Sequence, residues 1–193
     1  GAWYFFGKGC NKPADTVAEI TDTLQNKTAD VATVIANGVR ESFKVKLTNG
    51  EEIDAYKGGI ESQLVSFLDD KTATVDTVDK SKNWYDFDNL NFKLGKADLT
   101  DSSMVQIKNI VAILKAYPAV KMKIGGYTDK TGDESVNKKL SGDRAAAVLA
   151  ALKANGASEA QLLGAEGYGS EFAKIAKEAS EEERRPDRRI SVS

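Results

Sequence analysis

The side chains that could do chemistry gather in one stretch, Ile124 to Ala147, which reads IGGYTDKTGDESVNKKLSGDRAAA. Asp129 stands at the end of a strand-like run, just past Gly125 and Gly126. A polar turn through Gly132 leads into a helical pattern that carries Arg144 where an apolar residue is expected. On a helix, Leu140, Arg144, Val148 and Ala151 share a face, because spacings of three and four bring side chains into line. That register predicts Arg144 near the middle of the apolar stripe, flanked by Val136 and Leu152, with a polar line Asn137-Ser141-Arg144 leading to the helix N-terminus. An unpaired guanidinium there would cost on the order of several kcal/mol, so it needs an anion. Arg144 can take a carboxylate bidentately. Asp129 can take an ammonium, and the N–H groups of the helix N-terminus favour a negative group. Together they suit a ligand that carries NH3+ and COO- on one carbon. The same spacing allows Asp129 and Arg144 to pair with each other, and the residues alone leave both readings open.

The neighbouring segments must position this pair. Val120, Met122 and Ile124 alternate with Lys121 and Lys123, the period of a strand with one buried and one wet face. The strand delivers the chain to Gly125-Gly126, where the backbone can bend or approach a neighbour closely. Leu90, Phe92 and Leu94 alternate as an earlier strand. Thr100-Asp101-Ser102-Ser103 offers helix N-caps. Met104, Ile107, Ile110, Val111 and Leu114 then form one helical face, which Pro118 ends. The helix carrying Arg144 runs from about Asp133 to Ala154 and closes at Asn155-Gly156. Leu162 to Tyr168 reads as a third strand and Arg188 to Val192 as a fourth. Amphipathic strands argue for helices on one face only. The expected fold class is therefore α+β, a two-layer β-α-β-α-β-β sandwich.

Ahead of that domain, Ser42 to Lys57 is a hairpin signal. Phe43, Val45 and Leu47 alternate, Asn49-Gly50 tolerates positive φ, and Ile53 and Ala55 alternate on the return. Ile60, Leu64, Val65 and Leu68 follow as a helical stripe. So small a module is not stable alone and is expected to dock on the larger domain or on a partner. The expected organisation is a hydrophobic N-terminal segment (1–10), a helical or flexible spacer (11–42), the hairpin–helix module (43–69), a linker (70–83) and the α+β domain (84–193). Ala2-Trp3-Tyr4-Phe5-Phe6, followed by Lys8, has the aromatic-then-cationic order of the interfacial end of a membrane anchor whose apolar part lies upstream. Acylation of Cys10 is the alternative, but Gly7 and Lys8 make a poor processing site.

Composition excludes several function classes. The 193 residues hold 27 basic and 29 acidic side chains, for a net charge of -2. Such a chain has no overall pull on nucleic acid. The Arg184-Arg185-Pro186-Asp187-Arg188-Arg189 cluster faces Glu181, Glu182 and Glu183 and reads as a self-compensated surface. There is no histidine, which removes Ser-His triads and most zinc sites. Asp129, Asp133 and Glu134 lack the spacing of a calcium loop. Asp86 and Asp88 would share a strand face, but read as solvated strand-end acids rather than a catalytic pair. No nucleophile has a base. No enzyme activity, cofactor or metal is expected.

Five motifs carry a family resemblance: Gly126-Tyr127-Thr128-Asp129, then Gly132, then Asn137 with Leu140-Ser141 and Arg144-Ala145, then Glu166-Gly167-Tyr168-Gly169, and Asp187-Arg188-Arg189-Ile190. With them, residues 84 to 192 resemble the OmpA-like peptidoglycan-binding domain, found in outer-membrane protein A and the peptidoglycan-associated lipoprotein. The resemblance implies noncovalent binding of peptidoglycan through the diaminopimelate of its peptide stem, which ends in an ammonium and a carboxylate on one carbon. It implies Asp129 and Arg144 as the ligand-binding pair and Thr131 and Asn137 as pocket residues. Gly126, Tyr127, Thr128, Ser141 and Asp187 would support the site, and Arg188 and Arg189 would brace it. Tyr127 stands where many members have His, Asp187 where they have Asn, and Ser170 where a proline is usual. The resemblance places the chain in the envelope of a Gram-negative bacterium, facing the periplasm, with outer-membrane anchoring favoured over inner. It leaves the oligomeric state open. The alternative is an envelope module that keeps the scaffold but binds a protein, through the hairpin and helix of 43–68.

Overall fold

The computed structural model describes residues 40–193. The expectations for the N-terminal aromatic segment, Cys10 and most of the spacer lie outside the described residues.

The hairpin forms where its turn chemistry puts it. Strand β1 (Ser42–Lys46) pairs antiparallel with β2 (Glu52–Tyr56), and Gly50 takes the positive φ, 87°, that the turn requires. Val45, Leu47, Ile53 and Ala55 are buried, while Phe43 stays 42% exposed. Helix α1 (Ile60–Asp69) follows, with Ile60, Leu64 and Val65 inward. Helix α2 (Ser103–Ala116) buries Ile107, Ile110, Val111, Ile113 and Leu114.

Polar bonds join the hairpin and α1 to α2. Glu61 is only 3% exposed and accepts from the amides of Gln106 and Asn109 on α2. Asp88 accepts from the Ile60 amide at the start of α1 and from Gln106. Thr48 donates to the Ala116 carbonyl, and the Tyr117 hydroxyl to Asp69. Residues 42–193 form one compact unit.

The main sheet has the order β3-β6-β4-β5, from β3 (Tyr85–Asp86), β6 (Ile190–Val192), β4 (Met122–Gly126) and β5 (Leu162–Gly167). The β4 and β5 strands are parallel, joined through helix α3 (Glu134–Ala154), and the other pairings are antiparallel. Met122 and Ile124 enter the core with residues of α2 and α3, while Lys123 on the other face pairs with Glu166 of β5. This is the expected α+β two-layer arrangement.

One strand is misplaced by the pattern of apolar residues. Leu90, Phe92 and Leu94 do not form the first strand, which is Tyr85–Asp86 instead. Phe92 makes only an isolated bridge to Leu99, across a turn in which Gly95 has φ 65°, and Leu94 is 99% exposed. The edge position beside β6 is filled by the residues whose register matches it, Tyr85 opposite Val192 and Asp86 opposite Ser191. Asp86 and Asp88 consequently part: Asp86 pairs with Arg189, and Asp88 holds the start of α1.

The seat of α3 also differs from the periodicity. Its buried line is Ser141, Ala145, Val148 and Leu152, rotated from the expected Leu140-Arg144-Val148-Ala151 face. Val136 is 60% exposed, and Arg144 lies half-buried on the flank of the stripe. The cause is close backbone packing. A side chain at Gly126 would collide with the Ser141 carbonyl, and one at Gly167 with the backbone of Gly142 and the Lys138 carbonyl. Small residues, not large apolar ones, decide which face of α3 meets the sheet.

Because the colliding atoms are backbone, neither side can yield cheaply. Gly126→Ala and Gly167→Ala are each expected to cost about 1–3 kcal/mol or more, read as a lowered urea midpoint. Leu94→Ser, at a fully exposed position, should leave the midpoint within about 0.5 kcal/mol.

Candidate functional site

The site begins where β4 ends. The Tyr127 amide donates to the Arg189 carbonyl at 2.9 Å and the Thr128 amide to the Gly169 carbonyl at 2.8 Å. The loop is thereby tied to β6 on one side and to the segment after β5 on the other. Ser141 adds a tie to the helix: its hydroxyl donates to the Lys138 carbonyl and accepts from the Gly169 amide, each at 3.0 Å. The buried Thr128 hydroxyl has no hydrogen-bond partner among the described residues.

Asp129 follows, only 4% exposed. A carboxylate so enclosed needs donors, and both of its oxygens have them. Oδ1 accepts from the Thr131 amide at 2.9 Å and from the Thr131 hydroxyl. Oδ2 accepts from Arg188 Nη1 at 2.7 Å and Arg184 Nη1 at 3.3 Å. Burial pushes the Asp129 pKa up, but the Thr131 bonds and the Arg188 guanidinium outweigh it and hold the carboxyl below its ordinary value.

The loop is pinned from the helix. Asn137 donates to the Thr131 carbonyl at 2.8 Å and, at 3.5 Å, to that of Asp129. Asp133 caps α3 by accepting from the Ser135 and Val136 amides, and Gly132 supplies a φ of 82° between the two acids. Glu134 accepts from Ser170 on the opposite rim. These acids serve the loop, and no group of three potential metal-ligating side chains converges among the described residues.

Arg144 lies apart from this network. Its Nε donates to the Lys96 carbonyl at 3.1 Å, and its guanidinium lies over the Phe92 ring, 5.0 Å from the centroid. Among the described residues no carboxylate pairs with it. Burial, and secondarily the charge of Arg188, lowers its pKa. The direct Asp129–Arg144 pairing that spacing allowed does not form; Asp129 is taken by Arg184 and Arg188.

Arg184 belongs to a cluster whose charges read as a self-compensated surface, yet it reaches the site. It is the last residue of a short helix, α4 (Glu181–Arg184), opened by a capping box between Ser180 and Glu183. Its side chain is only 14% exposed, and it pairs with Glu181 as well as Asp129. Glu181 also pairs with Arg188 at 2.7 Å. The readable signal was the spacing of Arg184 and Arg188, which straddle Pro186 just before a strand. Asp187, 4% exposed, accepts from the amides of Lys174 and Ile175 and so ties the variable rim to the start of β6.

Arg189 turns the other way, as alternation along an extended chain requires. Its guanidinium lies 4.1 Å from the centroid of the Tyr127 ring. Tyr127 stacks on Tyr168, and Trp84 meets both rings edge-on. With Phe172 these rings line a cleft of about 650 Å³. Burial pushes the Tyr127 phenol up to about 12, so it stays neutral in the physiological range.

Asp129, Thr131, Asn137, Ser141 and Arg188 thus come together around the loop between β4 and α3, and Arg144 stands to one side of them. Residues 91–189 of the 193 match the family model described as the OmpA family, and the chain belongs to that family. It is 33% identical over 103 residues to outer membrane porin F of Pseudomonas aeruginosa, covering 53% of this chain and 29% of that protein. It is 30% identical over 105 residues to the probable lipoprotein YiaD of Escherichia coli, covering 54% of this chain and 47% of that one. The match therefore spans less than half the length of either relative. Among solved structures, the peptidoglycan-associated lipoprotein from Burkholderia pseudomallei is similar with a TM-score of 0.49 and 25% identity, over 65% of this chain and 96% of that one.

Asp129 makes the fold acid-sensitive in a definite direction. Its folded pKa lies below the unfolded value near 3.8. Its stabilising contribution is therefore complete above that value and is lost as pH falls through the lower, folded pKa. Urea midpoints measured between pH 5 and about pH 2 should fall more steeply for the native chain than for Asp129→Asn.

Proposed function

We propose that residues 84–193 bind peptidoglycan noncovalently through the diaminopimelate of the stem peptide. In this reading Arg144 takes the ligand carboxylate and Asp129 its ammonium. Thr131 and Asn137 fix the loop between them, and the first turn of α3 adds a favourable partial positive charge. The reaction class is binding alone, since no bond needs to be made or broken.

The observation that carries the reading is the state of Arg144. Among the described residues this half-buried guanidinium meets a carbonyl and a ring but no carboxylate, and it is close enough to feel Arg188. A carboxylate satisfies it with two parallel N–H···O bonds. The ammonium half is supported by Asp129, held ionised at the mouth of the loop. Family membership and the names of the relatives, a porin and a lipoprotein, support a role in the cell envelope. We place the domain on the periplasmic side of a Gram-negative envelope, where it tethers a membrane to the wall. The aromatic N-terminal run would be the interfacial end of its anchor.

Truncating one member of a desolvated charge pair costs about 2–5 kcal/mol. Asp129→Ala and Arg144→Ala are each expected to abolish co-sedimentation with purified peptidoglycan while circular dichroism shows the fold retained. Binding undiminished in either folded variant overturns the assignment.

A further inference from the structure

We infer that Arg184 is an internal competitor for the ammonium of the ligand, and that its release from Asp129 sets how strongly the site prefers a zwitterion to a plain carboxylate. The inference rests on the proposed binding of the diaminopimelate end group.

The argument is one of hydrogen-bond capacity. A carboxylate offers about four acceptor positions, two on each oxygen. At Asp129 four donors already fill them: the amide and hydroxyl of Thr131 on Oδ1, and Arg184 and Arg188 on Oδ2. With the side chain 5% exposed, no acceptor is left for an incoming ammonium. One donor must leave. The Thr131 bonds belong to the loop itself, and Arg188 holds at 2.7 Å from the start of β6. Arg184 is the weak member, at 3.3 Å, past the usual range for an N–H···O bond.

Arg184 also has somewhere to go. Its Nη2 already meets Glu181 at 3.2 Å, and its Nε donates to the Ala179 carbonyl at 3.0 Å. Glu181 is 74% exposed and held by Arg188 at 2.7 Å, so Arg184 can move off Asp129 onto a carboxylate that is already in place. Before ligand binds, Arg184 and Arg188 together neutralise Asp129. On binding, the ligand ammonium takes its position on Oδ2, and Arg184 rests on Glu181. The carboxylate half of the ligand, at Arg144, is independent of this exchange. Arg184 thus acts as a specificity-determining residue: it taxes the ammonium and not the carboxylate.

Calorimetric titration of the full chain with meso-diaminopimelate and with pimelate, the same carbon chain without amino groups, separates the two halves. Arg184→Gln is expected to tighten diaminopimelate binding roughly threefold to tenfold, the net worth of one hydrogen bond, and to leave pimelate unchanged. Glu181→Gln removes the resting place of Arg184 and is expected to weaken diaminopimelate binding by a similar factor. If the native chain binds diaminopimelate and Arg184→Gln binds it equally or more weakly, Arg184 is no competitor, and the proposed function stands without it. If neither protein binds diaminopimelate although both are folded, the ligand assignment fails and this inference falls with it.

Discussion

The close seat of α3 on the parallel strands β4 and β5 is the constraint from which the rest follows. Gly126 and Gly167 bring the sheet up to the backbone of Ser141, Gly142 and Lys138. At those two glycines no side chain fits between strand and helix, so helix rotation is decided by backbone shape. The consequences are local and specific. Ser141 can reach the Gly169 amide. Asn137 comes down over the Thr131 carbonyl, and Arg144 is carried to the edge of the interface, where it meets Phe92 and Lys96. A wider gap filled by large side chains would loosen each of these contacts.

On this frame the charges are arranged unevenly. Asp129 and Glu181 serve Arg184 and Arg188, and Arg144 is left over. Of these three guanidinium groups, Arg144 is the one with no carboxylate partner among the described residues. Its partial burial makes that count, because screening by water is weaker there. The buried acid at Asp129 is therefore an organiser first: it draws the short helix and the start of β6 onto the loop and fixes the rim. Asp187 does the same for the neighbouring segment through backbone amides. An acid that must be ionised to hold two arginines also links the shape of the rim to protonation.

The hairpin and α1 are held by a different device. Glu61 is buried against amides of Gln106 and Asn109 rather than against a cation, and Asp88 serves both the start of α1 and Gln106. Buried polar groups so connected specify one docking geometry, whereas apolar contacts alone tolerate sliding. The apolar faces of the hairpin and α1 join the same core as α2 and β4.

Much of this was legible in the linear chain, for identifiable reasons. Asn49-Gly50 announced its hairpin because turn φ is a local property. Alternation announced β4, and the stripe from Ile107 to Leu114 announced α2, because a single periodicity dominated each. The motif residues around Asp129 and Arg144 could be picked from charge, position and family pattern. Other features depended on partners distant in sequence. Leu90-Phe92-Leu94 has a strand's alternation, yet the edge of the sheet went to Tyr85–Asp86, since only pairing with β6 defines that edge. The rotation of α3 was invisible to hydrophobic periodicity, because it is set by glycines facing a backbone across the interface. The partner of Asp129 was likewise a tertiary decision. Spacing offered Arg144, but the rim folded Arg184 and Arg188 onto Asp129. The sequence by itself determined which residues could carry charge into the site and which elements would bear them. Only the tertiary structure decided which charges neutralise one another and that Arg144 stands apart from them, because that depends on distances across the fold.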